Sequence, residues 1–148
     1  MRKSIFISFI AAAFVLLFVY AATSKLIEFS KFEVQLGQSP MLTGISAIVA
    51  VAIPVIEIIP AGLLFFEKTR LAGLYVSFSL MVMFTAYIVA VTQFSDYIPC
   101  SCGGILQKMT WNQHLVFNIV FTCLALAGVM FYSHAQDSGK LLVDPGNG

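Results

Sequence analysis

Two cysteines separated by a single residue form the part of this sequence best suited to chemistry. Cys100 and Cys102 lie within Pro-Cys-Ser-Cys-Gly-Gly, in a loop predicted over residues 92–108. A disulfide between them would close a small, strained ring, and strained, exposed disulfides are the reducible ones. A structural disulfide more often joins distant segments, because closing a longer loop constrains the unfolded chain more. The spacing favours thiol–disulfide redox chemistry, with a structural pair or a metal site as alternatives.

The metal alternative is the weaker of these two. Thiolates bind copper(I) or zinc well, but no second cluster of cysteine and histidine with ligand spacing accompanies the pair. We therefore predict no metal site. The third cysteine, Cys123, stands in an apolar stretch and is predicted to be an inert core residue.

A helix is predicted to begin directly after the cysteine loop. Thr110 and Gln113 have the spacing of a capping box before an apolar run, so the helix should start at Trp111. The positive end of that helix favours a thiolate. We therefore predict Cys102, the nearer cysteine, as the reactive thiolate and Cys100 as its resolving partner.

Two polar residues follow on one face of that helix. His114 stands one turn in and could stabilise the thiolate or move its proton, although a histidine beside Trp111 could equally be a hydrogen-bonded anchor. Asn118 lies one turn further on the same face. Together with the cysteines, these residues are the candidate site of this part of the chain.

Composition identifies the elements that must position these residues. The 148-residue chain is 59% hydrophobic and 10% charged, whereas soluble domains average roughly 25% charged residues. We predict an all-α membrane protein, a bundle of four transmembrane helices in one domain over residues 1–136, with a polar tail over 137–148. The predicted spans are residues 5–22, 42–66, 71–91 and 111–132. A signal peptide is the alternative for the first span, but its apolar run exceeds the ~7–15 residues typical of one.

Charged residues mark the connection between the first two spans and the middle of the second. Residues 24–40 alternate apolar and charged side chains, which predicts an amphipathic segment at the extracytoplasmic interface. Pro54 and Pro60 should bend or break the second span, which should then face the bundle interior. Glu57 lies between them, where a charge is costly. Lys25 is its nearest cationic partner, but only if the helix starts later than residue 42 or bends. Glu57 would organise the bundle or relay protons.

Positive charge predicts the orientation, because it is enriched on the cytoplasmic side. With both termini in the cytoplasm, that side holds more basic residues than the other: Arg2, Lys3, Lys68, Arg70 and Lys140 against Lys25, Lys31 and Lys108. The cysteine loop is then periplasmic, where disulfides form. We place the chain in the bacterial inner membrane. The net charge of +1 and the absence of a basic run predict no nucleic-acid partner.

Three short motifs, taken in order, resemble the MauE branch of the DoxX-like superfamily. Residues 18–26 resemble the end of that group's first helix, and Glu57 after Pro54 resembles its second-helix glutamate. Residues 99–104, followed by Trp111, resemble the cysteine-glycine loop of MauE, with Ser101 where glycine is common. The resemblance covers roughly residues 10–132.

The resemblance implies a four-helix inner-membrane protein that supports maturation or redox upkeep of periplasmic proteins. Its implied partners are the lipid bilayer and a periplasmic thioredoxin-like protein or a disulfide-containing client. The plan is also similar to that of the vitamin K epoxide reductase group, which couples loop cysteines to a quinone. That group uses Cys-x-x-Cys, which this chain lacks. The resemblance therefore leaves two alternatives, a protein without a cofactor and one that uses a quinone.

Two other classes of function compete with a redox protein. The chain could be a non-enzymatic accessory subunit of a larger membrane complex, docked through residues 24–40. It could also be a small transporter built around Glu57, although a single acidic residue within four helices is weak support for a transport pathway.

Overall fold

The computed structural model describes residues 2–38, 42–94 and 110–143. These residues form five α-helices: α1 (Arg2–Ile27), α2 (Phe29–Gly37), α3 (Ser46–Phe65), α4 (Arg70–Phe94) and α5 (Trp111–Val143). A 3-10 turn, Glu67–Thr69, joins α3 to α4. None of the described residues lies in a strand. The predicted all-α fold is therefore confirmed.

Four stretches of helix are long and apolar enough to cross a membrane: Ser4–Ile27, Ser46–Phe65, Glu67–Phe94 and Asn112–Gln136. Their outer surfaces carry large exposed apolar side chains, including Phe9, Leu16, Phe65 and Met130. Such a surface would be unfavourable in water and suits lipid. The chain is thus a multi-pass membrane protein, as its composition predicts.

The centre of the bundle is packed by residues from all four long helices. Phe14 and Phe18 of α1 are fully buried and stack at 5.9 Å between ring centroids, and Phe121 of α5 meets Phe14 edge-on at 5.4 Å. Leu64 of α3 and Leu74 of α4 complete this core. Aromatic pairs of this geometry add to the burial of the rings themselves.

Helix α3 starts later than predicted and is not broken by its prolines. Residues 42–45 form turns, and the helix runs from Ser46 through Pro54 and Pro60 to Phe65. Its buried residues form one stripe with heptad-like spacing: Ala50, Pro54, Glu57, Pro60, Ala61 and Leu64. The stripe turns both prolines into the bundle, where protein rather than lipid surrounds the weakened backbone.

Helix α2 folds back onto the start of α3. Glu28 alone separates it from α1. Phe32 and Leu36 on its apolar face are buried with Ala50 of α3, and Val49 and Ile53 pack against them. The amphipathic segment between the first two spans therefore covers protein with its apolar face.

Helix α5 runs further than predicted. The sequence indicates an end near residue 132 followed by a tail over 137–148, whereas the helix continues to Val143. The predicted end is too early, although residues 133–143 combine good helix formers such as Ala135 and Leu141 with poor ones such as Asp137 and Gly139. Loss of hydropathy marks where the apolar span ends, and the helix itself continues beyond it.

The two ends of the bundle differ in the segments they bring together. At one end, Arg70 Nη1 lies 3.5 Å from Ser8 Oγ, and the Tyr132 hydroxyl donates to the Glu67 carbonyl at 3.3 Å. We call this the turn end, because the α3–α4 turn lies there. The opposite end holds the end of α1, the whole of α2, the start of α3, the end of α4 and the start of α5. We call it the loop end, because the chain leaves α4 at Phe94 and returns at Thr110 there.

Candidate functional site

The helix that follows the cysteine loop begins as predicted. The Gln113 backbone N–H donates to Thr110 Oγ1 at 3.4 Å, and the Thr110 N–H donates to Gln113 Oε1 at 3.1 Å. This reciprocal pair confirms the capping box, and α5 starts at Trp111. The chain therefore returns from the cysteine loop directly onto the first turn of α5. Cys100, Cys102 and the side chain of Trp111 lie outside the described part of the structure.

Lys25 and Glu57 form a buried ion pair between α1 and α3. Lys25 Nζ lies 2.6 Å from Glu57 Oε1, and the two residues are 6% and 1% exposed. The late start of α3 allows this contact. Starting at Ser46 rather than residue 42 shortens the helix above Glu57 by about 6 Å at ~1.5 Å per residue. Lys25, in the last turn of α1, then reaches the carboxylate.

His114 and Asn118 lie on the buried face of α5, as their spacing predicts. His114 is 7% exposed and Asn118 is buried. Asn118 Nδ2 donates to the backbone carbonyl of His114 at 2.9 Å. The same cavity receives both side chains and the Lys25–Glu57 pair. Four of the predicted polar residues thus meet at the loop end.

That cavity has a volume of about 320 Å³ and is bounded by all five helices. Its walls are mainly apolar, and five aromatic side chains line it: Phe18, Phe32, Phe84, Tyr87 and Phe117. Met83 also lines the cavity and is 57% exposed on the outer, lipid-facing side of α4. The cavity therefore reaches the surface that faces the membrane.

Two buried acceptor atoms in this region lack a partner. Glu57 Oε2 and Gln35 Oε1 have no hydrogen bond within the described residues, and both side chains line the cavity. Gln35 is absent from the predicted site because polar residues of an amphipathic segment normally face water. Its position one turn after Phe32, which is buried, is the signal that could have identified it. Tyr87, an aromatic residue with a hydroxyl in an uncharged span, was missed as well.

The prediction for Cys123 is wrong. Its side chain is exposed on the outside of α5 rather than buried in the core. The rule that places small apolar residues inside depends on water outside, and lipid removes that preference. Among the described residues, no three His, Cys, Asp or Glu side chains are grouped as a metal site would require.

A comparison with known families shows which family the chain belongs to. Residues 3–131 match the family model of methylamine utilisation protein MauE. The chain belongs to the MauE family. The match covers α1 to α4, the cysteine loop and most of the apolar part of α5. No curated protein and no solved structure matches the chain. This MauE-family protein has four helices long enough to span a membrane, and a buried polar cluster at the loop end.

Proposed function

We propose that this MauE-family protein is a thiol–disulfide redox protein that uses Cys100 and Cys102 as its exchanging pair. The observation that supports this most is where the polar residues gather. Lys25, Glu57 and His114 come from three different helices and converge at the end of the bundle to which the cysteine loop is attached. Ionisable groups inside a membrane bundle are expensive and usually mark function.

The proposed exchange proceeds by two thiolate attacks. In the oxidising direction, a client thiolate attacks one sulfur of the Cys100–Cys102 disulfide and releases the other as a thiolate. The client's second thiolate then attacks the mixed disulfide, so the client leaves oxidised and the cysteine pair holds two electrons. In the reducing direction, Cys102 attacks a client disulfide and Cys100 resolves the mixed disulfide. A partner protein or a quinone completes the circuit.

The polar residues of the loop end have separate roles in this proposal. His114 lies in the second turn of α5 and exchanges a proton with the attacking or leaving sulfur. Asn118 fixes the backbone at that turn through its bond to the His114 carbonyl. The Lys25–Glu57 pair is a positioning element, because it joins the end of α1 to the middle of α3 at the loop end.

We place the loop end in the periplasm of a bacterial inner membrane. Glu57 offsets the charge of Lys25, which leaves Lys31 as the exposed cation among the described residues of the loop end. Lys68 is exposed at the turn end. The contact of Arg70 with Ser8 places the first turns of α1, which begins with Arg2 and Lys3, at the same end. The positive-inside rule then puts the turn end in the cytoplasm. The client is a periplasmic thioredoxin-like protein or another disulfide-containing protein.

Thiol trapping in intact cells tests the redox function. Free thiols are alkylated, the protein is weighed before and after reduction, and mixed disulfides are sought in the Cys100→Ser variant. We expect a disulfide that turns over, and covalent partners that accumulate on Cys102. Cys123→Ser is the matched control, because Cys123 lies on the lipid-facing side of α5 and should leave both results unchanged. Cysteines that stay reduced, with activity surviving the double serine variant, would overturn the proposal.

Lysine labelling from each side of the membrane tests the orientation. A membrane-impermeant amine reagent should modify Lys68 only from the cytoplasm and Lys108 only from the periplasm. Labelling of Lys108 from the cytoplasm alone would place the cysteine loop in a reducing compartment. The result would contradict the redox proposal, because disulfides rarely persist in the reducing cytoplasm.

A further inference from the structure

The cavity at the loop end has buried hydrogen-bond acceptors that no described group satisfies. Glu57 Oε2 belongs to a residue of α3 that is only 1% exposed, Gln35 Oε1 is a buried atom of α2, and both side chains line the cavity. A buried acceptor without a donor is costly. The site therefore calls for a molecule that brings donors.

Water alone does not suit the rest of this cavity. A buried water needs 2–4 polar partners, and apolar cavities stay dry. The walls are formed mainly by apolar side chains such as Phe32, Phe84 and Ile53, over a volume of about 320 Å³. A lipid acyl chain would fill that space but has no donor for Glu57 or Gln35. The occupant must combine an apolar body with donor groups.

The charges and the aromatic walls of the cavity narrow the chemical class of the ligand further. Lys25 and Glu57 together carry no net charge. A cationic donor such as an amine would therefore be repelled by the Lys25 ammonium group, with no excess negative charge in the cavity to offset the repulsion. A neutral hydroxyl avoids that repulsion. Five aromatic side chains line the cavity, and aromatic rings pack favourably against one another. Two separate acceptors call for two hydroxyls on the same molecule.

We infer that this cavity binds a lipophilic dihydroxylated aromatic molecule of the hydroquinone class, whose hydroxyls donate to Glu57 and Gln35. The exposed position of Met83 lets such a molecule enter from the lipid. Apart from Leu42, in the turn before α3, the described residues that line the site belong to the five helices. It deepens the proposed redox function, which leaves a quinone open as the electron partner, and the binding itself is argued from the cavity alone.

Binding of matched probes to the full chain in lipid nanodiscs tests this inference. The probes are a radiolabelled alkyl benzohydroquinone and its dimethyl ether, which keeps the ring and the alkyl chain but has no donor. Air is excluded to prevent oxidation of the hydroquinone. We expect saturable binding of the hydroquinone and at least about tenfold weaker binding of the ether, because the ether leaves both acceptors unsatisfied. Equal binding of the two probes, or no saturable binding, would overturn the inference.

Variants then locate the site. Gln35→Leu removes one acceptor and should weaken hydroquinone binding about fivefold or more. Gln38→Leu, an exposed glutamine just after the same short helix, is the matched control and should bind normally. Ile53→Trp leaves both acceptor residues in place but reduces the volume of the cavity, and it should abolish binding. Unchanged binding in both Gln35→Leu and Ile53→Trp would show that the molecule binds elsewhere.

A cysteine variant separates this inference from the proposed function. The Cys100→Ser/Cys102→Ser protein should bind the hydroquinone with the affinity of the unmodified chain. If the cysteines prove inert in cells while the variant still binds, the redox proposal fails and the cavity site stands. If the cysteines turn over while neither protein binds the probe, the cavity site fails and the redox proposal stands.

Discussion

Removing one member of the Lys25–Glu57 pair should destabilise the protein far more than removing both. The pair is buried, with 2.6 Å between Lys25 Nζ and Glu57 Oε1. At that distance, two unit charges attract by about 6 kcal/mol if the effective dielectric constant is ~20. Desolvation of both charges offsets most of this gain, at several kcal/mol per ion. The pair thus contributes little to the net free energy of folding, but each buried charge is tolerated only because the other neutralises it.

A double-mutant cycle measures that dependence. We expect Lys25→Met or Glu57→Leu alone to lower the free energy of unfolding by about 3–5 kcal/mol, because each leaves an uncompensated buried charge. The double variant should lie within about 1–2 kcal/mol of the original protein, because apolar replacement of a buried pair is often neutral. At roughly 2–4 °C per kcal/mol, each single variant should unfold roughly 6–20 °C lower in a thermal scan followed by circular dichroism in detergent.

Another ion pair of the same chain provides the control. Lys31 Nζ lies 3.0 Å from Glu28 Oε1, but Lys31 is largely exposed. Lys31→Met should therefore change stability by less than about 1 kcal/mol. If the two single losses at Lys25 and Glu57 simply add in the double variant, the two residues are not coupled. The Lys25–Glu57 pair would then not join α1 to α3 as a coupled unit.

Two further predictions concern helix packing and capping. A Cβ added at Gly73 would lie 2.9 Å from the backbone nitrogen of Leu64. Gly73→Ala should therefore destabilise the bundle by about 1–3 kcal/mol. Gly62→Ala is the control: a Cβ there would have nothing within 4 Å, so the variant should not lower the unfolding temperature. Equal shifts for the two variants would argue against close α3–α4 packing. Thr110→Ala removes the cap shared with Gln113 and should cost about 0.5–2 kcal/mol, seen as faster amide hydrogen exchange in the first turn of α5. Thr110→Ser should restore protection, and unchanged exchange in Thr110→Ala would contradict the capping role.

The sequence was sufficient to predict the four spans and the start of α5. Long uncharged runs have few alternatives to a membrane helix, and the Thr110–Gln113 capping box is a local signal that needs no tertiary context. The start of α3 and the end of α5 had no such signal. Residues 42–45 are as compatible with a helix by composition as with the turns they form. Beyond residue 132, hydropathy falls and good and poor helix formers are mixed, so the sequence does not mark where the helix ends.

The candidate site was harder to predict because it depends on how helices meet. The pairing of Lys25 with Glu57 depended on where α3 begins, which the sequence left open. Gln35 was missed because it lies among charged residues that suggest a solvated face, and only the return of α2 over α3 brings it to the cavity. Cys123 was assigned to the wrong side because lipid, unlike water, does not drive an apolar side chain inward.

The short connection at Glu28 explains why these features share one end of the bundle. A single residue separates α1 from α2. The buried face of α2 packs on the start of α3, and Phe32 and Leu36 of this face line the cavity that also holds the Lys25–Glu57 pair. The same end bears the attachment points of the cysteine loop at Phe94 and Thr110. If both proposals pass their tests, the two functions form one circuit: two cysteine thiols and one quinone give one disulfide and one hydroquinone, with two electrons and two protons transferred. The hydroquinone would then be the product that Glu57 and Gln35 are placed to bind.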